Sequence, residues 1–185
     1  MVVLHLALIL LFAAYIVFRR IIRKIYLERG HLTWLSSYLQ LLVFSGLMVF
    51  LYFFNPPDWP WFWRLDGPAI SPLKILGLAL IVLGFVLAFG TMSWFGLRRA
   101  FGLEGQGLIK GGPYRITRNP QILGGYLLVI GSSVQWPSWY AFVWIALYGI
   151  ISHWMIITEE EHLRAIFGEE YEIYCKQVPR YLLGI

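Results

Sequence analysis

Residues 122–157 read ILGGYLLVIGSSVQWPSWYAFVWIALYGIISHWMII. No Asp, Glu, Lys or Arg interrupts the stretch. A helix needs about 20 mostly apolar residues to cross bilayer hydrocarbon, so there is chain here for two crossings. Pro137 divides it. Proline cannot continue a helix from its interior but suits a first turn. The pattern therefore predicts helices over 122–136 and 138–157, folded back on each other as a tight hairpin. The first arm is short for a crossing, which thins the bilayer or buries one end in protein.

Outward from the hairpin, three more apolar runs have spanning length: Val2–Phe18, Ser37–Phe54 and Leu73–Trp94. The fold class expected is all-α, an integral membrane protein with about five transmembrane helices. Composition agrees. The 185 residues are 59% hydrophobic and 14% charged, where a soluble domain carries roughly 45–50% and 25%. The surplus apolar surface calls for hydrocarbon as its solvent. Length suggests one membrane domain, with three N-terminal spans over 1–95 and a loop, the hairpin and a tail over 96–185. Residues 1–18 are followed, not preceded, by Arg19-Arg20 and carry no A-x-A site. The segment thus reads as a retained span and not as a cleaved leader.

The net charge of +5 could suggest nucleic acid, but the basic residues sort by loop. Arg19, Arg20, Arg23, Lys24 and Arg29 follow span one. Arg98, Arg99, Lys110, Arg115 and Arg118 lie between spans three and four. Arg164, Lys176 and Arg180 lie in the tail. Only Arg64 and Lys74 fall on the other side. Positive charge collects on the cytoplasmic side, so the N-terminus is expected outside and the C-terminus in the cytosol. This fits a bacterial inner membrane or an endoplasmic reticulum, and no nucleic-acid partner. Cys175 is the lone cysteine, so no internal disulfide forms, and its expected role is that of a small buried hydrophobe. No metal site is expected.

Two features read as packing or anchoring. Pro56, Pro57, Trp59, Pro60, Trp61, Phe62 and Trp63 form an interfacial loop, where indole rings keep an N–H in water. Gly77, Gly84 and Ala88 share a face of span three, and Gly124 and Gly131 a face of span four. Small residues let helix backbones approach closely in lipid.

Two stretches carry polar chemistry. The first, Gly102–Gly125, reads GLEGQGLIKGGPYRITRNPQILGG. Its seven glycines and two prolines forbid continuous helix. Pro120, preceded by Asn119, can open span four, and a helix N-terminus flanked by Arg115 and Arg118 attracts anions; the same residues equally fit a basic reentrant loop that touches lipid phosphates. The second, Thr158–Arg180, reads TEEEHLRAIFGEEYEIYCKQVPR. Glu159, Glu160 and Glu161 leave span five in succession, and His153 shares a face with Glu160. Leu163, Ile166, Phe167, Tyr171, Tyr174 and Val178 then form an amphipathic stripe interrupted by Gly168. Closing the hairpin returns both stretches to one membrane face. A site built from both could hold a zwitterion, its carboxylate at the loop and its amine or hydroxyls at the glutamates.

Gly112-Pro113-Tyr114-Arg115-Ile116-Thr117-Arg118-Asn119-Pro120, followed by Gly124, resembles the GPYR-x-x-R-[HN]-P signature of the isoprenylcysteine carboxyl methyltransferase and phospholipid methyltransferase superfamily. The tail Glu159-Glu160, Leu163, Phe167-Gly168, Tyr171, Tyr174, Val178 and Arg180 is similar to the ending of those enzymes. The resemblance implies methyl transfer from S-adenosylmethionine to a lipophilic or lipidated acceptor (a carboxylate, amine or thiol) at the cytosolic face. It places Leu108, Gly112, Tyr114, Arg118, Asn119, Pro120, Leu123 and Gly124 on the loop side of the cofactor and Glu159 and Glu160 on the tail side. It sets Arg180 near the substrate end, and the catalytic candidates are Arg180 with Glu160 and His153, either of which could take the proton that an amine or thiol acceptor must lose. Asn119 stands where many members carry His; asparagine does not titrate near neutral pH, which speaks against a base there. Ile122 stands where many carry an aromatic residue. Two other readings stay open: a membrane reductase using a nicotinamide cofactor, whose hairpin architecture is similar, and a non-enzymatic membrane scaffold or transport subunit.

Overall fold

The computed structural model describes residues 2–54, 71–96, 107–135 and 137–182. The Trp- and Pro-rich loop, Arg64, Arg98, Arg99 and the glycines at 102 and 105 lie outside the described residues.

Among the described residues all regular structure is helical. Three helices are long and apolar enough to cross a membrane: Val2–Arg29, Pro72–Trp94 and Trp139–Phe167. The first combines α1 (Val2–Tyr15), a π-helical segment (Ile16–Ile22) and α2 (Arg23–Arg29). Next is α3 (Trp34–Phe54). Thr33 and Ser36 start it by reciprocal capping: the Thr33 N–H donates to the Ser36 hydroxyl at 2.8 Å, and the Ser36 N–H to the Thr33 hydroxyl at 3.3 Å. The fourth helix, α4 (Pro72–Phe95), has Ser71 as its cap and Pro in its first turn. Then come α5 (Pro120–Gln135), α6 (Trp139–Phe167) and α7 (Glu169–Gln177).

The hairpin forms at the expected place. Ser138 caps α6 by accepting the Ala141 N–H at 3.2 Å. The Tyr148 hydroxyl donates to the Ile122 carbonyl at 3.0 Å, tying the two arms antiparallel. The 16 residues of α5 cover roughly 24 Å, short of the ~30 Å hydrocarbon. By contrast α6 runs on past Ile157 to Phe167; its 29 residues cover roughly 43 Å, so its last turns stand clear of the hydrocarbon. Gly168, at φ 49°, then breaks the stripe and lets α7 turn away, in a backbone conformation only glycine adopts cheaply.

Direction alternates from helix to helix. The Trp144 Nε1 donates to the Leu47 carbonyl at 3.0 Å and Phe44 packs near Tyr148, so α3 and α6 are antiparallel. Tyr15 meets Trp154 edge-on at 5.5 Å and Tyr26 stacks on His162 at 4.0 Å, so the first helix runs parallel to α6. The core lies among these three and α5, around Phe18, Ile22, Leu47, Val129, Trp144, Ile151 and Ile156. Leucine, isoleucine, valine and phenylalanine side chains cover the outward faces of α1 and α4, as a hydrocarbon solvent requires.

The small-residue faces of spans three and four pack on each other. A Cβ at Gly84 would fall 2.6 Å from the Gly124 carbonyl, one at Gly131 2.6 Å from the Gly77 carbonyl, and one at Gly124 2.7 Å from the Ala88 nitrogen. These neighbours are backbone, which cannot rotate aside. Gly124→Val is expected to destabilise the α4–α5 pair by about 1–3 kcal/mol. Gly90→Ala, where an added Cβ meets nothing within 4 Å, should leave stability unchanged or raise it. Thermal unfolding in detergent micelles compares the two.

Candidate functional site

Successive residues of an α-helix point about 100° apart, so the three glutamates of α6 face three different surroundings. Glu161 faces the first helix and accepts from Arg19 Nη2 at 2.8 Å and Arg23 Nε at 2.6 Å. Beside it the Thr158 hydroxyl lies 3.2 Å from the Phe18 carbonyl and accepts from Arg19 Nη1 at 3.0 Å. Glu160 points inward, with only 3% of its side chain exposed. Arg180 grips it with two bonds, Nε to Oε1 at 2.9 Å and Nη2 to Oε2 at 2.7 Å. Arg118 Nη1 adds a third at 2.9 Å, and Arg164, held at 2.8 Å by Glu172, a longer one at 3.4 Å. The Glu160 partnership also holds the Arg180 guanidinium above the usual arginine range. Glu159 is exposed and has no ion pair among the described residues.

The loop is built onto this frame. Gly112–Arg115 forms a 3₁₀ turn that rests on Trp94 at the end of α4, whose ring lies 6.4 Å from that of Tyr114. Gly112 has φ +55°, and a Cβ there would strike the Trp94 indole at 2.8 Å. Both backbone and space therefore demand glycine. The C-terminal tail secures the next residues. The Thr117 hydroxyl and the Asn119 amide donate to the Arg180 carbonyl at 3.0 and 3.1 Å, and the Arg118 N–H to the Pro179 carbonyl at 2.9 Å. Pro120 opens α5 as expected, and the Asn119 carbonyl takes the Leu123 N–H at 3.0 Å. The Asn119 side chain, however, is spent on the tail and does not cap the helix. Arg118 Nη1 also donates to Cys175 Sγ at 2.7 Å. Among the described residues Arg118 Nε and Gln121 Nε2 are buried without a partner.

Above the loop, Tyr171 and Tyr174 of α7 and Val178 just after it pack against Leu108, Leu163 and Phe167, and the Tyr174 hydroxyl donates to the Tyr114 carbonyl at 2.7 Å. Burial pushes the Tyr174 phenol up to about 12. Burial first, then the Glu159 carboxylate, holds the Tyr114 hydroxyl above its usual range. Both phenols therefore stay protonated donors at neutral pH.

The residues singled out in the sequence thus occupy three places. Arg118, Asn119, Glu160 and Arg180 form one bonded cluster, with Glu159 and Tyr114 beside it and Pro120 at its helix start. Leu123 and His153 line an open groove of about 620 Å³ between α5 and α6, with Tyr126, Ile150 and Tyr181. His153 Nδ1 lies 3.3 Å from the Tyr181 hydroxyl and two turns, about 10 Å, from Glu160 along α6. Leu108 packs under α7 and Gly124 faces α4. Sequence reasoning missed the seat provided by Trp94, the tethers through Thr117 and Cys175, and the Arg19–Arg23 clamp. None of these has a spacing signature, because each is a contact between distant elements.

All of this chemistry sits at one end of a bundle of apolar helices, as in a membrane enzyme acting at the bilayer surface. The phospholipid methyltransferase family model matches residues 73–170, just over half of the chain, and the protein belongs to that family. No curated protein and no solved structure matches it.

Removing one member of a buried ion pair leaves an uncompensated charge. Glu160→Ala is expected to cost about 3–5 kcal/mol of stability. Glu159→Gln, exposed and unpaired, should stay within about 0.5 kcal/mol of wild type. Chemical denaturation in micelles measures both.

Proposed function

We propose that the protein transfers a methyl group from S-adenosylmethionine to a lipophilic acceptor at the cytosolic membrane face, with five crossings, the N-terminus outside and the C-terminus in the cytosol. The alternation of helix directions fits an odd number of crossings. The orientation is supported by Arg19, Arg20, Arg23, Lys24, Arg29, Lys110, Arg115, Arg118, Arg164, Lys176 and Arg180 at one end of the bundle, against Lys74 at the other.

The observation that carries the reading is the division of labour between adjacent carboxylates. Glu160 is consumed by arginines, while Glu159 has no ion pair among the described residues and is left for a ligand. The donor set suits a zwitterionic nucleoside. Arg118 Nε and Gln121 Nε2 lack partners among the described residues, and the first-turn N–H groups of α5 favour an anion. Glu159 offers an acceptor to an ammonium or to hydroxyls. When bound, the cofactor supplies a methyl group already activated on a sulfonium. The chain's work is then alignment and exclusion of water, and orientation alone can contribute on the order of 7–11 kcal/mol. In this reading Glu160 and Arg180 position the loop and do not exchange protons. His153, on the groove wall, is the group placed to take a proton from an amine or thiol acceptor. The groove of Leu123, Tyr126, Ile150 and Tyr181 takes the acceptor's hydrocarbon, and its polar end leads along Tyr181 to Arg180.

Calorimetry of purified protein with S-adenosylmethionine tests the cofactor; no heat at millimolar ligand would defeat the proposal. Glu159→Gln should weaken binding by roughly ten- to a hundredfold, the loss expected for a charged hydrogen bond. Gly149→Leu, which fills the groove where a Cβ meets only the Tyr126 hydroxyl at 3.4 Å, should raise KM for a lipid acceptor and leave cofactor affinity intact.

A further inference from the structure

The groove of about 620 Å³ between α5 and α6 carries three titratable side chains on its wall, Tyr126, His153 and Tyr181. Gly149 and His153 are four residues apart and share a face of α6. The Tyr126 hydroxyl sits at the first, 3.4 Å from a Cβ built on Gly149. The Tyr181 hydroxyl sits at the second, 3.3 Å from His153 Nδ1.

Tyr181 belongs to the irregular tail, yet its place is fixed from two sides. Arg180, the residue before it, is bonded to Glu160 through its guanidinium and to Thr117 and Asn119 through its carbonyl. The Tyr181 ring meets Tyr126 edge-on, with centroids 6.3 Å apart and planes inclined by 85°. Tyr126 in turn packs edge-on at 4.8 Å against Tyr148, whose hydroxyl is tied to the Ile122 carbonyl. Tyr181 therefore joins the ion cluster to the groove. His153 by itself does not, because it lies two turns, about 10 Å, from Glu160 along α6. Burial holds the Tyr181 phenol above its ordinary value, so it keeps its proton at neutral pH. The phenol is the stronger acid of the pair and the imidazole nitrogen the stronger base. The O–H accordingly donates to Nδ1, and the neutral imidazole carries its own proton on Nε2.

We propose that Tyr181 is a catalytic residue, which takes the proton of an amine or thiol acceptor while handing its own to His153 Nδ1. The inference rests on the methyl-transfer reading above and adds the atom that touches the acceptor. In this step the acceptor's N–H or S–H bond breaks, and the electron pair stays on the acceptor atom as the nucleophile. The proton bonds to the Tyr181 oxygen, the Tyr181 O–H bond breaks, and its proton bonds to Nδ1. Tyr181 ends neutral and His153 ends as imidazolium. His153 is exposed and returns the proton to water once product has left. At 3.3 Å the bond is long for proton transfer, and catalytic bonds of this kind tighten when substrate is held. A carboxylate acceptor, already deprotonated, gains nothing from the pair.

Nitrogen-15 NMR of histidine-labelled protein in micelles tests the pair without any acceptor, with His153→Gln identifying the signal. His153 should carry its proton on Nε2 in the wild type and become a mixture of tautomers in Tyr181→Phe. A wild-type proton on Nδ1 overturns the proposal. Turnover is read with tritiated S-adenosylmethionine and three probes in micelles: dodecylamine, dodecanethiol and dodecanoate. Tyr181→Phe should lower kcat for the amine or the thiol about a hundredfold and leave KM within about twofold. Adding His153→Gln to it should cost no more than the slower single variant, since both groups act on one proton. Losses that multiply, an unchanged rate in Tyr181→Phe, or turnover of dodecanoate alone or of none of the three by protein that binds the cofactor, overturns the relay. Calorimetry should show unchanged S-adenosylmethionine affinity in Tyr181→Phe. No binding to the wild-type protein defeats the cofactor reading itself, and the tautomer result stands apart from it.

Discussion

A carboxylate buried under two guanidiniums organises the polar end of this protein. Moving Glu160 out of water costs several kcal/mol unless charge and geometry compensate. Arg180 and Arg118 supply both, with bonds of 2.7–2.9 Å. Each arginine belongs to a segment outside the long helices. Arg118 belongs to the loop before α5, and Arg180 to the irregular tail after α7. Their convergence on one helical residue holds loop, hairpin and tail together, and the backbone bonds from Thr117, Arg118 and Asn119 to the tail follow the same line. The interaction is costly to break and specific in geometry, which suits a positioning role better than proton exchange.

Because Glu160 takes the arginines, Glu159 does not have to. On a helix the neighbouring residue points elsewhere, and Glu159 lies on the face it shares with His162, three residues on. Glu161, another step around, anchors the first helix. One run of three identical residues thus meets three different surroundings, separated by nothing more than the helical rotation between them.

In the apolar part, assembly relies on close approach and on satisfied backbone groups. Lipid offers no hydrophobic drive between helices, so α4 and α5 meet through glycines, where dispersion contacts between backbones replace side-chain burial. The polar groups that do enter the bundle are bonded inward, as with Trp144 to Leu47 and Tyr148 to Ile122. These bonds fix the rotation of α6 and hence where its glutamates point.

The amino-acid sequence by itself determined the all-helical class, the hairpin at Pro137, the glycine faces of spans three and four, and the two polar stretches that meet. Each of these is local or periodic, written as a run length, a breaker or a spacing, and such signals survive without knowledge of neighbours. The length of α6 was not legible, because the apolar signal ends at Ile157 while the helix persists as long as its polar turns find partners. Nor was the difference between Glu159 and Glu160. Two adjacent, chemically identical residues acquire different surroundings only when Arg118 and Arg180, remote in sequence, are brought against one side of the helix and not another. That choice belongs to tertiary structure, since charge pairing depends on distances that chain order does not encode.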